Sequence, residues 1–272
     1  MNVPYLHGTQ PKEQRRLSKL NDLLNAACLR ELSLQGGERV LDVGSGLGQF
    51  SRAMAKAAGS RGRVIAVDRD ERQVREARRQ ARASGEVAAV EWRRGDALAL
   101  PLRKDEWGSF DVAHARFVTE HVPQPEKVVE QMVRAVRRGG RVVLADDDHD
   151  VLRLSPELPS FNSVWAAYIR VYDRLGCDPF VGRRLISLLH QAGARPVRNH
   201  WLFFGSCAGD PNFPAYVANM IGVVETAREI ITGPLGMRQA EFDTALRDTR
   251  AWGRRPDAAI WFGLCWAEGV RS

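Results

Sequence analysis

The sequence predicts an α/β fold: a mostly parallel sheet with helices on both faces. Three observations carry this. Between residues 39 and 145 short apolar runs alternate with amphipathic stretches, the rhythm of strand–helix–strand units. One such run, Val40-Leu41-Asp42-Val43, passes straight into Gly44-Ser45-Gly46-Leu47-Gly48 and then into a helical pattern. The chain has 272 residues, 44% of them hydrophobic and 27% charged, enough to bury a full core and unlike disordered, collagenous or coiled-coil chains.

Taken in order, residues 10 to 34 read as a helix, with Leu17, Leu20, Leu24, Ala27 and Cys28 at spacings of three and four, ended by Gly36-Gly37. Strands are expected at 39–43, 64–67, 87–93, 110–113 and 141–145. Helices are expected between them at 49–58, 71–84 and 125–138, the last with Val128, Val129, Met132, Val133 and Val136 on one face. Beyond residue 149 the rhythm changes. A helical insertion rich in Trp, Tyr and Phe is expected at about 150–178, then a helix at 182–192 and a strand at 195–204. A second helical insertion at about 205–256 precedes a closing strand at 259–268. Insertions after sheet strands end beside the crevice where such sheets bind ligands.

No run of about 18 apolar residues is present, and the first residues lack a basic segment followed by an apolar core, so neither a membrane span nor a signal peptide is expected. Four scattered cysteines form no metal or redox pair and suit a reducing, cytoplasmic setting. The net charge of +7 comes from 40 basic residues, of which only five are lysines, so the arginine excess reads as a compositional habit. Arg72, Arg75, Arg78, Arg79 and Arg82 share one helix with Glu71 and Glu76, the pattern of a solvated face rather than a nucleic-acid surface.

The glycine-rich turn is the strongest chemical signal. Without side chains the backbone can lie against a ligand, and the following helix offers free amides. Asp68 ends the next strand, where a carboxylate can accept from both ribose hydroxyls of a nucleoside. A dinucleotide is disfavoured: its fingerprint needs glycine at 49, where the chain has Gln49, and Asp42 would face a pyrophosphate. A carboxylate there suits a cationic ligand.

Asp42-Val43-Gly44-Ser45-Gly46-Leu47-Gly48 resembles the first motif of class I S-adenosylmethionine-dependent methyltransferases. Val64-Ile65-Ala66-Val67-Asp68 resembles the second and Arg94-Gly95-Asp96-Ala97 the third; Phe110-Asp111-Val112-Ala113 with Glu120-His121-Val122-Pro123, and Arg137 to Leu144, complete the order. The likeness is close over residues 36 to 146, and the Glu-His-Val-Pro stretch is similar to small-molecule and quinone-type members. It implies a Rossmann-like fold with a seven-stranded sheet, S-adenosyl-L-methionine as cofactor and S-adenosyl-L-homocysteine as product. Gly44, Ser45, Gly46 and Gly48 would pass beneath the methionine and ribose, and Asp42 would sit near the amino group. Asp68 would hold the ribose with Arg69 against the adenine, and Gly95, Asp96 and the Ala97 amide would meet the adenine edge. Arg116 and Phe117 would touch the methionyl end.

Methyl transfer from a sulfonium is an in-line displacement that positioning can largely drive. A base would still help an acidic acceptor, and His114 and His149 are the candidates, His121 being read as a loop-structuring residue. Asp146-Asp147-Asp148-His149 suggests a cation, but a metal is disfavoured because Ala113-His114-Ala115 occupies the place where catechol methyltransferases supply a further aspartate. Neither an Asn/Asp-Pro-Pro-Tyr/Phe motif nor a cysteine follows the fourth strand, so base methylation is not expected. Tyr5, in the segment Tyr5-Leu6-His7-Gly8-Thr9, is a candidate lid residue.

The expected organisation is residues 1–35 as a helix and lid, 36–149 as the cofactor core, and 150–272 as the rest of the sheet with the acceptor pocket, lined by Trp165, Tyr168, Tyr172, Phe213, Tyr216 and Met220. The expected activity is methylation of a small, partly apolar metabolite by a monomer or homodimer, on oxygen before carbon or nitrogen. The alternatives are an RNA or protein methyltransferase and a cofactor-binding protein that transfers nothing.

Overall fold

The computed structural model describes residues 11–85 and 90–272, leaving aside the side chains of residues 11–13, 15 and 17. Its first half runs α1 (Pro11–Leu32), β1 (Arg39–Val43), α2 (Gln49–Ala58), β2 (Arg63–Asp68), α3 (Glu71–Ala83), β3 (Val90–Arg94), β4 (Phe110–Arg116), α4 (Pro125–Ala135) and β5 (Val136–Asp147). The second half runs β6 (Arg153–Ser155), α5 (Pro159–Leu175), α6 (Leu185–Gln191), β7 (Ala194–Phe203), β8 (Ser206–Cys207), α7 (Phe213–Thr226), α8 (Arg228–Thr232), α9 (Gln239–Trp252), β9 (Ala259–Trp261) and β10 (Gly263–Arg271).

Seven strands form one sheet in the order β3-β2-β1-β4-β5-β10-β7. The first five are parallel, and β10 runs antiparallel to both β5 and β7. Because side chains alternate across a strand, each face receives every second residue. Val40, Val64 and Ala66 pack with Leu24, Cys28 and Leu32 of α1, Phe50 and Met54 of α2, and Val74 and Ala77 of α3. Leu41, Val43, Ile65 and Val67 pack on the other face with Val128 and Met132 of α4 and Leu185 and Leu188 of α6. Burial on both faces explains why β1, β2 and β4 read as nearly continuous apolar runs. No helix among the described residues is long and apolar enough to cross a membrane.

The insertions make a third core. Helices α5, α7, α8 and α9 pack around Phe161, Tyr168, Val224 and Phe242, together with Leu154 and Ile260. Those last two belong to a separate sheet, β6-β9-β8. The first insertion, expected to be made of helices, and the second, expected to be largely helical, each carry a short strand as well. The expected closing strand 259–268 is likewise two strands in two sheets, β9 pairing with β6 and β8, and β10 with β5 and β7. One apolar run served both, so its hydrophobicity could not reveal the switch.

Other boundaries move for local reasons. The helix expected to reach residue 138 ends at Ala135, and Val136 pairs with Phe110. Gly139 has φ +73°, and a Cβ on Gly140 would lie 3.0 Å from the Phe110 carbonyl oxygen. The chain therefore turns tightly before it pairs again at Val112 and Arg141. β3 begins at Val90, while residues 87 to 89 of the expected strand lie outside the described residues. Asp70 caps α3, its Oδ1 accepting from the Arg72 and Gln73 amides.

Gly48, just ahead of α2, has φ +68°, and a Cβ there would come within 2.1 Å of the Trp92 ring. Gly48→Ala is expected to cost about 2 kcal/mol through backbone strain and displacement of a rigid indole. Urea unfolding checks it; an unchanged midpoint would refute the contact.

Candidate functional site

β1 has β2 on one side and β4 on the other, and its chain leaves toward β2. This reversal of strand order opens a crevice at the carboxyl ends of the strands. A cavity of about 190 Å³ lies there, lined among others by Gly44, Ser45, Gly46, Asp68, Gly95 and Asp96. The ends of three strands, β1, β2 and β3, thus bring together residues spread over more than fifty positions.

The turn after β1 is held to β2, since the Gly44 and Ser45 amides donate to the Val67 carbonyl at 2.8 and 3.0 Å. Gly44 has φ +71°, and a Cβ on it would clash with Val118 at 2.4 Å. At Gly46 the same construction meets open space. Gly48, expected beneath the ligand, is not among the residues that line the cavity and fits closely against Trp92.

Asp68 is fixed from two sides. Its Oδ2 accepts from the Gly46 amide at 2.8 Å and its Oδ1 from the Asp70 amide at 2.9 Å. Burial pushes its carboxyl above the usual range, against those two hydrogen bonds. Asp96 is exposed, its Oδ1 accepting from the Leu98 amide at 2.9 Å, and Arg69 and Ala97 line the same cavity. On Gly95 a Cβ would meet the Pro101 ring at 2.5 Å.

Asp42 lines the cavity, yet both of its oxygens are engaged inside the protein. Oδ2 accepts from the Ser51 hydroxyl at 2.5 Å, and Oδ1 lies 2.9 Å from His114 Nδ1. The carboxylate expected near a ligand's amino group, directly or through water, also orients an imidazole whose other nitrogen, Nε2, is buried without a partner among the described residues. Arg116 is held by Asn21 and Asn25 of α1 at 2.6 and 2.9 Å, and its guanidinium stacks 4.5 Å over Phe50. Phe117 takes φ +56° and faces the cavity. Tyr5 lies outside the described residues.

A second cavity, of about 80 Å³, adjoins the first, and Leu20, Phe117 and His121 line both. One end is apolar, with Phe204, Met220, Val223, Ile260 and Phe262. The other end carries Arg16, Glu120, Asp147, His149, Tyr168 and Tyr172. Trp165, Tyr168 and Tyr172 reach it together because spacings of three and four put them on one stripe of α5. Tyr216 and Met220 of α7 also line it; Phe213 does not, being buried against Trp252 with ring centres 5.8 Å apart.

The polar end is a tight network. His149 Nε2 is 3.0 Å from Glu120 Oε2 and 3.1 Å from the Tyr172 hydroxyl, which itself donates to Glu120 Oε2 at 3.0 Å. The Trp165 indole donates to the His149 carbonyl at 2.9 Å. Burial pushes the Tyr168 and Tyr172 hydroxyls well up and the His121 imidazole down. The Asp146–Asp148 run divides. Asp146 turns inward to the Thr119 amide and hydroxyl, and burial with the nearby Glu120 pushes its carboxyl up to about 8. Asp148 accepts from Arg183, and only Asp147 and His149 of this stretch face the cavity.

Sequence reasoning placed His114 and His149 near the crevice but assigned them no partners. It missed Glu120 and Asn219 as lining residues and read His121 as a loop residue, whereas His121 stands between the two cavities. The Glu-His pair in the fourth-strand motif was the available signal.

Residues 41–144 match the family model described as a methyltransferase domain. An uncharacterized 37.1 kDa protein in transposon TN4556 of Streptomyces fradiae is 36% identical over 167 residues, 61% of this chain and 46% of that protein. The 2-phytyl-1,4-naphtoquinone methyltransferase of Synechococcus elongatus is 34% identical over 129 residues, 47% of this chain and 53% of that enzyme. The chain thus spans about half the length of these curated relatives. A crystal structure of a putative methyltransferase from Bacillus halodurans superposes with a TM-score of 0.60 at 20% identity, covering 93% of this chain and all of that one. Residues 41–144 thus match a methyltransferase domain, and the chain that carries them has the Rossmann-like class I methyltransferase fold.

Proposed function

We propose that the protein is an S-adenosylmethionine-dependent methyltransferase whose acceptor is a small, partly apolar metabolite, methylated on oxygen before carbon or nitrogen. The observation that carries this is the pair of adjoining cavities, one built from the glycine-rich turn and Asp68, the other apolar at one end and polar at the other. The donor set of the first fits the cofactor: a prearranged carboxylate at Asp68 for the ribose hydroxyls, Asp96 and the Ala97 amide for the adenine edge, and exposed Arg69 beside it. Open space over Gly46 admits a ligand against the backbone. When bound, S-adenosylmethionine supplies an electrophilic methyl group and leaves as S-adenosylhomocysteine.

The chain's own residues do the positioning. Asp42 and His114 make the cavity wall polar at the end nearest β4, while Leu20, Phe117 and His121 frame the passage between donor and acceptor. Enclosing that passage excludes water and holds the reacting groups in line. Of the two candidate catalytic histidines, His149 stands on the acceptor side. The arginine-rich α3 supports a small-molecule reading: Arg78 donates to the Trp92 carbonyl and Arg79 pairs with Glu76, both within the fold.

Calorimetric titration with S-adenosylmethionine and S-adenosylhomocysteine tests the first half, with micromolar binding expected. Transfer of labelled methyl to a panel of phenols, quinols and enols tests the second. Met220→Trp, which fills the second cavity, is expected to lower transfer by at least about 10-fold while leaving cofactor affinity unchanged. An equal loss of cofactor affinity would sink the division of labour between the cavities.

A further inference from the structure

We propose that Glu120, Asp147 and His149 form a divalent-cation site at the polar end of the second cavity. The ligating atoms of the three side chains all lie within 4.8 Å of one another. They come from three places the fold holds independently: the 3-10 turn Thr119–His121 after β4, the end of β5, and the 3-10 turn His149–Val151. A shared ion would replace the contact between His149 Nε2 and Glu120 Oε2, whose 3.0 Å separation suits adjacent ligands on one metal.

The charges around this point call for a cation. Glu120 and His149 are only 3% and 4% exposed. Asp147 faces the cavity, and its Oδ1 is sealed from solvent with no hydrogen-bond partner among the described residues. The flanking carboxylates are already engaged, Asp146 by Thr119 and Asp148 by Arg183. A carboxylate oxygen so placed is costly unless a counter-charge sits beside it. Arg16 lines the same cavity, donates to Asn219 Oδ1 at 2.6 Å and supplies one positive charge near Asp147, so an ion would share the balancing of the two cavity carboxylates, Glu120 and Asp147, with it.

Two carboxylates with one imidazole suit Mn²⁺, Fe²⁺ or Zn²⁺ better than Mg²⁺, which prefers an all-oxygen sphere. Three protein ligands leave coordination positions toward the cavity. The chemistry that would fill them is an acceptor with two neighbouring oxygens, which the ion would orient and make more acidic. This last step rests on the methyltransferase reading; the ion site itself does not. Sequence reasoning sought the β4-side carboxylate at residues 113 to 115, whereas the fold supplies it from Glu120.

The test uses the full chain, stripped with chelator and free of cofactor and acceptor. Mn²⁺ is titrated in and followed by its electron paramagnetic resonance. One ion per chain at micromolar concentration is expected, with at least about 10-fold weaker binding in Asp147→Asn and in Glu120→Gln, and none of that loss in the exposed control Asp257→Asn. Asp147→Asn removes a carboxylate whose Oδ1 has no hydrogen-bond partner among the described residues, so it is expected to fold, and its thermal midpoint should no longer rise with Mn²⁺ as the parent's does. Absence of Mn²⁺ binding below millimolar, or equal binding by Asp147→Asn, overturns the site. Methyl transfer lost in His149→Gln from a chain that binds no Mn²⁺ would also overturn it and make the imidazole the base. S-adenosylmethionine titration of the same Asp147→Asn sample reads the methyltransferase proposal separately, since Asp147 does not line the first cavity.

Discussion

Asp68→Ala is expected to weaken S-adenosylmethionine binding about 100-fold in calorimetric titration, equivalent to about 3 kcal/mol. The residue has two roles that fall together. Its carboxylate stands at the end of β2 where it can accept from vicinal hydroxyls, and hydrogen bonds to a charged acceptor are the strong kind. It also accepts from the Gly46 and Asp70 amides, so it sets the height of the glycine-rich turn and the start of α3. Alanine removes both; Asp68→Asn keeps the volume and one good acceptor and is expected to lose only about 10-fold. Burial already pushes this carboxyl up, so cofactor affinity should begin to fall on acidification at a higher pH than for an ordinary carboxylate. Unaltered binding in Asp68→Ala would remove the cofactor from this cavity.

The contrast between Asp68 and Asp42 shows what the sequence could and could not disclose. Both precede or follow glycine-rich turns at recognisable offsets, so both were legible as site residues. Only packing decides that Asp42 turns to Ser51 and His114 while Asp68 remains at the ligand's edge. The sheet was legible for a similar reason: β1, β2 and β4 are apolar on both faces, and short glycine-bounded runs of that kind fit few other elements. What failed were places where one stretch serves two structures. Val136 continues a helical stripe yet begins β5, and residues 259 to 268 cross from one sheet to another. The acceptor cavity was half legible. Trp165, Tyr168 and Tyr172 share a stripe that periodicity reveals, but their meeting with Glu120 and His149 depends on how the insertion folds back over β4 and β5. No local pattern encodes that.

Glu106 yields the second large effect, and it acts at a distance from any ligand. Its side chain is fully buried in the connection between β3 and β4. Arg93 grips both oxygens, at 2.6 and 2.7 Å, and the Arg103 guanidinium lies 2.7 Å from Oε1 while the Arg103 amide donates to Oε2 at 2.8 Å. These contacts, with Arg93 the chief one, hold its carboxyl down at about 2. Removing the buried charge of this cluster leaves the partly buried Arg93 guanidinium with Glu91 as its remaining counter-charge and the exposed Arg103 with Asp105, which is expected to cost about 2–3 kcal/mol, a sizeable part of a domain's stability. Glu106→Gln is therefore expected to lower the urea midpoint sharply at neutral pH. The sign with pH follows from the depressed value: the ionised carboxylate stabilises the folded chain fully above the ordinary glutamate range near 4.5, and that contribution is lost as pH falls toward about 2. The parent should lose stability through this window by a component that Glu106→Gln lacks, and identical acid profiles would refute the role. Because Arg93 also donates to the Pro101 carbonyl, and Pro101 packs against Gly95, the same cluster fixes residues 95 to 97 at the cavity's rim. Glu106→Gln should accordingly weaken cofactor binding even where the protein remains folded, which an effect on stability alone would not do.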